Sequence, residues 1–290
     1  MSDAERPASR TAWRVALRRA VHQLVDRPPV LDDPVAIPIL GEEVAAVLRE
    51  NPAAYERSPL DRYLRAFMAV RARFAEDHLD AARDAGVTQY VILGAGLDTF
   101  AYRQRRDAPP LRIWEVDHPG TQRWKRHRLA AGGIAAPANV SYVPVDFERD
   151  ALPDALAAAG FDPGAGAVFT WLGVTMYLTD AAIEATLAFI AATCGGHGGV
   201  TFDYGVDPSR LTPAQRSVYD ALAARVAAVG EPWLTAFAPE ALGERLRALG
   251  FRAIEDADAE TLNARYCAGR DDELRVGALA RMMWAGSTAL

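Results

Sequence analysis

The sequence predicts an α/β protein with seven mostly parallel strands, helices on both faces of the sheet, a helical cap ahead of it and a helical insertion before the last two strands. Three observations carry this. From Tyr90 onward, short apolar runs alternate with helical stretches, the pattern of repeated strand-helix units. Residues 90–100, Y-V-I-L-G-A-G-L-D-T-F, read as a buried strand running into a glycine turn that opens toward a helix. Residues 111–117, L-R-I-W-E-V-D, read as a neighbouring strand ending in acids, at the spacing expected when one helix separates adjacent parallel strands. Together these describe a Rossmann-like sheet.

The elements follow in order. Residues 13–25, 41–50 and 60–85 carry apolar side chains at three- and four-residue spacing with prolines between them, so the leader is helical. Strands are predicted at 90–93, 111–116, 140–145, 167–171, 199–204, 251–256 and 278–284. Asp180 is the expected N-cap of a helix running through Ala182, Ile183, Leu187 and Ile190 and stopping at Gly195 and Gly196. A helical insertion spans 208–229, and a further helix spans 239–249. One domain of residues 1–290 is expected, with a helical leader at 1–88, the core at 89–290 and the insertion at 206–238.

Composition narrows the function classes. A net charge of −6 on 290 residues argues against general affinity for nucleic acid or anionic membrane, both of which favour concentrated Lys and Arg. The two cysteines, Cys194 and Cys267, provide neither a disulfide framework nor a zinc spacing, which points to a reducing cytoplasm. The N-terminus is polar and lacks the apolar core of a signal peptide, and no stretch approaches the roughly 20 apolar residues that span a bilayer. The histidines show no metal-ligand spacing, so no metal is expected.

The glycine turn carries the chemistry. A nucleoside needs bare backbone to lie against, which Gly94 and Gly96 supply, and a carboxylate for its ribose hydroxyls, for which Glu115 and Asp117 are candidates. Asp117 lies nearer the carboxyl edge where open sheets bind ligands, and Glu115 is a second or structural acid. Asp98 serves either as a helix N-cap or as a ligand for an amine. Thr99 stands where a dinucleotide fingerprint has its third glycine, so a nucleoside without a pyrophosphate fits better. S-adenosylmethionine (SAM) is the commonest ligand of that description.

Further stretches occur in a recognisable order: D-D-P-V-A-I from Asp32, R-A-R-F-A-E-D from Arg71, E-V-D-H-P from Glu115, V-P-V-D-F from Val143, W-L-G-V-T-M-Y-L-T from Trp171, G-E-P-W from Gly230 and A-R-Y-C-A-G-R from Ala264. With the glycine turn, they make the chain resemble the leucine carboxyl methyltransferase-like group of class I SAM-dependent methyltransferases, and in particular its bacterial O-methyltransferase branch. The resemblance implies that Arg71 pairs with the methionine carboxylate of SAM and that Gly94 and Gly96 underlie the cofactor. It implies that Asp117 binds the ribose and that Asp146 with Phe147 brackets the adenine. One departure is Leu172, where many relatives carry an acid.

The implied activity is O-methylation of a carboxylate or hydroxyl on a small molecule such as a secondary metabolite, with the small-molecule acceptor as the partner. Tyr177 and Tyr204, near the ends of strands four and five, are the catalytic candidates. Arg265, Tyr266 and Arg270 are candidates for holding the acceptor, since guanidinium binds a carboxylate through two parallel hydrogen bonds. No residue stands out as a general base. A nicotinamide-dependent oxidoreductase and a non-catalytic SAM-binding protein are the competing readings, and the oligomeric state is not legible.

Overall fold

A computed structural model describes residues 9–56, 58–104, 110–194 and 198–288. Its strands are β1 (Gln89–Leu93), β2 (Arg112–Asp117), β3 (Val140–Pro144), β4 (Ala167–Trp171), β5 (Gly198–Gly205), β6 (Ala253–Ala257) and β7 (Ala280–Gly286). They form one sheet in the order β3-β2-β1-β4-β5-β7-β6, in which β7 runs antiparallel to both its neighbours and the other pairings are parallel. The helices are α1 (Arg10–Val25), α2 (Glu42–Glu50), α3 (Pro59–Asp84), α4 (Pro119–Ala131), α5 (Leu152–Ala158), α6 (Asp180–Thr193), α7 (Pro213–Ala227), α8 (Pro239–Ala248) and α9 (Ala259–Tyr266). All seven predicted strands form, each displaced by at most two residues at either end.

Side chains alternate across the sheet with the period of two that a strand imposes. Val91 and Leu93, Trp114 and Val116, Phe169 and Trp171, and Phe202 and Tyr204 point into one core. Tyr90 and Ile92, Ile113, and Val168 point into the other, beneath α3. Burying each such side chain stabilises the fold by about 1.5–3 kcal/mol. The alternation also sets Asp203 on the α3 face, because its neighbours Phe202 and Tyr204 occupy the opposite one.

Register aligns the carboxyl ends of the strands. Leu93 pairs with Val116 and Asp117 with Pro144, so the residues just past β1, β2 and β3 share one edge. Ile92 pairs with Thr170 and Trp171 with Phe202, which brings Leu172 and Gly173 between Gly94 and Asp203.

The leader is tied to the sheet through α3. Arg65 on α3 donates to both oxygens of Asp26, at 2.9 and 3.1 Å, and His22 Nδ1 lies 2.6 Å from the same carboxylate. His22 Nε2 accepts from Val30 N at 3.0 Å, so the proton sits on Nδ1 and is donated to Asp26. This buried triad fastens the end of α1 onto α3.

Two expectations change. The glycine turn leads not into an α-helix but into a 3-10 turn, Phe100–Tyr102, because Asp98 accepts from Phe100 N at 2.8 Å and closes the chain on itself. Thr179, not Asp180, caps α6: its backbone is extended and its hydroxyl accepts from Ala182 N, whereas Asp180 is the first helical residue and pairs with Arg245 at 2.7 Å. The helix stop expected at Gly195 and Gly196 lies outside the described residues, and α9 fills the gap between β6 and β7 in keeping with the expected alternation of strands and helices.

Candidate functional site

The aligned strand ends open into a cavity of about 870 Å³ lined by Gly94, Gly96, Asp117, Asp146, Phe147 and Arg71, among others. The resemblance placed all six around one ligand, and here they converge from β1, β2, β3 and α3. Each has a local reason to be there. Gly94 has φ +64, and a Cβ on it would lie 2.3 Å from a methyl of Val174, so the turn both requires a left-handed conformation and leaves no room for a side chain. Asp117 accepts from Gly96 N at 2.5 Å and from His118 N at 2.6 Å, which closes the turn onto the tip of β2. Burial pushes the Asp117 carboxyl up, against the pull of those two amides.

Asp146 accepts from Glu148 N at 3.1 Å while its own N–H donates to Asp150 at 2.8 Å, and the Phe147 ring leans on Trp171 at 6.3 Å between centroids. Arg71 is 6% exposed, and its Nη1 donates to Asp203 Oδ2 at 3.1 Å. The other Asp203 oxygen accepts from Gly173 N at 2.5 Å. Gly173 has φ +72, and a Cβ there would meet Arg71 Nη1 at 2.8 Å, so the guanidinium lies against bare backbone.

A second cavity of about 1000 Å³ adjoins the first, enclosed by α1, α3 and α7. Thr11, Val15, Met68, Arg71, Gly173 and Tyr177 line both. Tyr177 therefore stands at the junction, and burial raises its phenol above the ordinary value, which keeps it a hydrogen-bond donor.

Other candidates fall elsewhere. Tyr204 is fully buried in the opposite core and donates to Asp256 at 2.9 Å, because strand alternation turns it away from the edge that Asp203 faces. Arg265, Tyr266 and Arg270 line neither cavity. Arg265 pairs with Glu255 and lies over the Phe74 ring, Tyr266 donates to Asp77 at 2.7 Å, and Arg270 holds Asp272 at 2.6 Å and the Pro28 carbonyl at 2.7 Å. Those contacts occupy the groups that an acceptor would need. Glu115 is 1% exposed and paired with Lys125 at 2.8 Å, so it is the structural acid of the two on β2. Leu172 adds an apolar surface to the first cavity.

Two contributions escaped the sequence reading. The start of α1 and the loop after α7 close the first cavity together: Thr11 donates to Glu231 through its hydroxyl and, at 3.2 Å, through its amide. The G-E-P-W stretch was the available signal. Arg19, 4% exposed, donates to the Leu97 carbonyl at 2.5 Å and lies 3.8 Å from Asp98, holding the glycine turn from behind. Among the described residues no cluster of His, Cys, Asp and Glu could hold a metal, and no helix is long and apolar enough to cross a membrane.

A cradle of bare glycine backbone, a carboxylate at the tip of the second strand and a buried arginine line one cavity, the arrangement expected of a class I SAM-dependent methyltransferase. The profile of the leucine carboxyl methyltransferase family matches residues 12–191. The chain belongs to that family. It is 27% identical over 286 residues to a Bacillus subtilis protein provisionally named S-adenosyl-L-methionine-dependent methyltransferase YktD, covering 92% of this chain and 94% of that one. It is 32% identical over 214 residues to a Mycobacterium avium protein with the same provisional activity name, covering 71% and 70%. A Thermobifida fusca crystal structure, provisionally called a methyltransferase, superimposes with a TM-score of 0.53 at 17% identity, over 95% of this chain and 94% of that one, and shares the fold. SAM is the cofactor.

Proposed function

We propose that the protein O-methylates a small molecule, that the first cavity holds SAM and that the second holds the acceptor. The observation that carries this reading is the junction itself: Arg71, Gly173 and Tyr177 line both cavities, so a ligand in each would meet there. We assign Arg71 to the methionine carboxylate, Gly94 and Gly96 to the cofactor's underside, Asp117 to the ribose hydroxyls, and Asp146 with Phe147 to the adenine. Tyr177 is the proposed positioning donor at the junction. The whole chain acts as one domain in this reading, with the leader at 1–88 and the insertion at 206–238 forming the acceptor side. Two buried free cysteines accord with a reducing cytoplasm.

When bound, SAM supplies a methyl group on an excellent leaving group. The protein's task is to hold the acceptor oxygen in line and to exclude water. Arg71 and Tyr177 fix polar atoms at the junction, while Val15 and Met68 from α1 and α3 keep its flanks apolar. Membership of a methyltransferase family favours this chemistry over hydride transfer to a nicotinamide. Calorimetry with SAM and with its demethylated product S-adenosylhomocysteine is the direct test: micromolar-range affinity for both is expected, and absence of heat with either would overturn the reading.

A further inference from the structure

At its inner end, where it meets the first cavity, the acceptor cavity carries the ion pair of Arg71 and Asp203 beside Tyr177, and Asp203 is the one carboxylate there among the described residues. We propose that this cavity takes an apolar molecule bearing a phenolic hydroxyl, and that Asp203 accepts the hydroxyl proton during methyl transfer. This rests on the reading that the second cavity is the acceptor site.

Its walls include Leu64, Phe67 and Met68 from α3 and Val218, Leu222 and Val226 from α7, and at about 1000 Å³ it suits a drug-sized, largely apolar body. Tyr219 and Trp233, whose rings stand 5.1 Å apart, add an aromatic surface on which a ring can pack. The arginines in the walls do not prepare the inner end for a carboxylate. Arg18 is matched by Asp61 at 2.9 Å and Arg71 by Asp203 at 3.1 Å, while Arg14 and Arg225 are exposed and solvated.

Asp203 is 1% exposed yet lines this cavity. Oδ1 accepts from Gly173 N and Oδ2 from Arg71, so each oxygen retains a lone pair. Arg71 already balances Asp203, so an acceptor carboxylate would add a further, uncompensated charge inside an apolar wall, whereas a hydroxyl would donate to Asp203. A phenol, with a pKa of about 10, is within reach of general-base transfer as the methyl arrives, and an alkyl hydroxyl is a far weaker acid. In the step, the acceptor O–H bond breaks with its proton passing to Asp203 and the O–CH3 bond forms. The S–CH3 bond of SAM breaks with its electron pair remaining on sulfur, giving the neutral thioether.

Three probes share one tail: 4-octylphenol, 4-octylbenzoic acid and 4-octyl-2-nitrophenol, assayed at about pH 9, where the nitrophenol is ionised and the plain phenol is still mostly protonated. In the presence of S-adenosylhomocysteine, calorimetry should detect the phenol and not the benzoate, and labelled SAM should methylate the phenol. Asp203→Asn should lower turnover of 4-octylphenol about 100-fold or more, lower that of the ionised nitrophenol by less than about tenfold, and change S-adenosylhomocysteine affinity only a few-fold. Equal losses with both phenols would mean that Asp203 merely positions Arg71 and would overturn the proposal. Preference for the benzoate, or no binding of any probe to protein that does bind S-adenosylhomocysteine, would overturn it too. If the Asn variant does not fold, the probe comparison on the unaltered protein still decides. Failure to bind S-adenosylhomocysteine at all would instead overturn the cofactor assignment beneath it.

Discussion

Two residues that shape the glycine turn, one within it and one at the tip of β2, can be tested by single substitutions with different signatures. Asp117 closes the turn through Gly96 N and faces the cofactor cavity, so Asp117→Ala should weaken S-adenosylhomocysteine binding by about 1–3 kcal/mol through loss of charge-assisted hydrogen bonds. Calorimetry reads the change, and an unaltered affinity would remove the ribose assignment. Gly94→Ala acts differently, by placing a Cβ 2.3 Å from Val174 at φ +64. The conformation alone costs about 1–2 kcal/mol, and the clash adds to it. Because Val174 is the obstruction, adding Val174→Ala should recover part of the loss in a double-mutant cycle, while the backbone strain remains. Purely additive effects in thermal melts and binding would show that the turn shifts rather than collides. Gly173 obeys the same logic with Arg71 as the neighbour, which is why a glycine also stands where the two cavities meet.

Helices α1 and α3 are joined by a charge cluster whose response to pH has a definite sign. Burial raises the Asp26 carboxyl, but hydrogen bonds from His22 and Arg65 together outweigh it and hold the group below its ordinary value of 3.8. A depressed folded pKa contributes stability that is complete above the unfolded value and is lost as pH falls through the folded one. Thermal stability should therefore lose this contribution only in acid below about pH 4, and Asp26→Asn should remove that portion of the acid dependence. At neutral pH the same variant should cost about 3 kcal/mol, since it leaves a buried arginine short of a partner. Denaturant titration at two pH values checks both, and an unchanged acid limb would exclude the cluster. None of this was legible in the sequence, where Arg65 and Arg71 are two of several arginines on one helix. The strands were legible because β1 and β4 are short, wholly buried apolar runs between turn signals. The glycine turn and Asp117, which closes it, were legible because a strand-turn-strand of this kind needs residue types at fixed spacing. Asp203 was not, because a single acid in G-G-V-T-F-D-Y gains meaning only when alternation turns it toward an arginine 132 residues away. Tyr204, the more conspicuous side chain, faces the other core for the same reason.

Across the molecule, stability and ligand access divide between two kinds of element. The central strands β1 and β4 are buried along their whole length, so their amides should exchange only through global unfolding. Helix α7 has no buried residue, although a capping box between Thr212 and Gln215 fixes its start. Its apolar residues Val218, Leu222 and Val226 recur every four positions and face the second cavity instead of a core. An apolar stripe bordering a cavity of about 1000 Å³ lacks the packing that stabilises the other helices, and a helix of 15 residues is marginal without such packing. In the proposed reading the acceptor is the source of the missing contact. Hydrogen exchange should accordingly find α7 amides opening at free energies well below those of β4 in the ligand-free protein. Adding 4-octylphenol with S-adenosylhomocysteine should slow α7 exchange about tenfold or more, whereas S-adenosylhomocysteine alone should protect the glycine turn and leave most of α7 unchanged. If α7 is already as protected as β4 without ligand, the helix belongs to the core and the second cavity is a closed structural space instead of the entrance for a substrate.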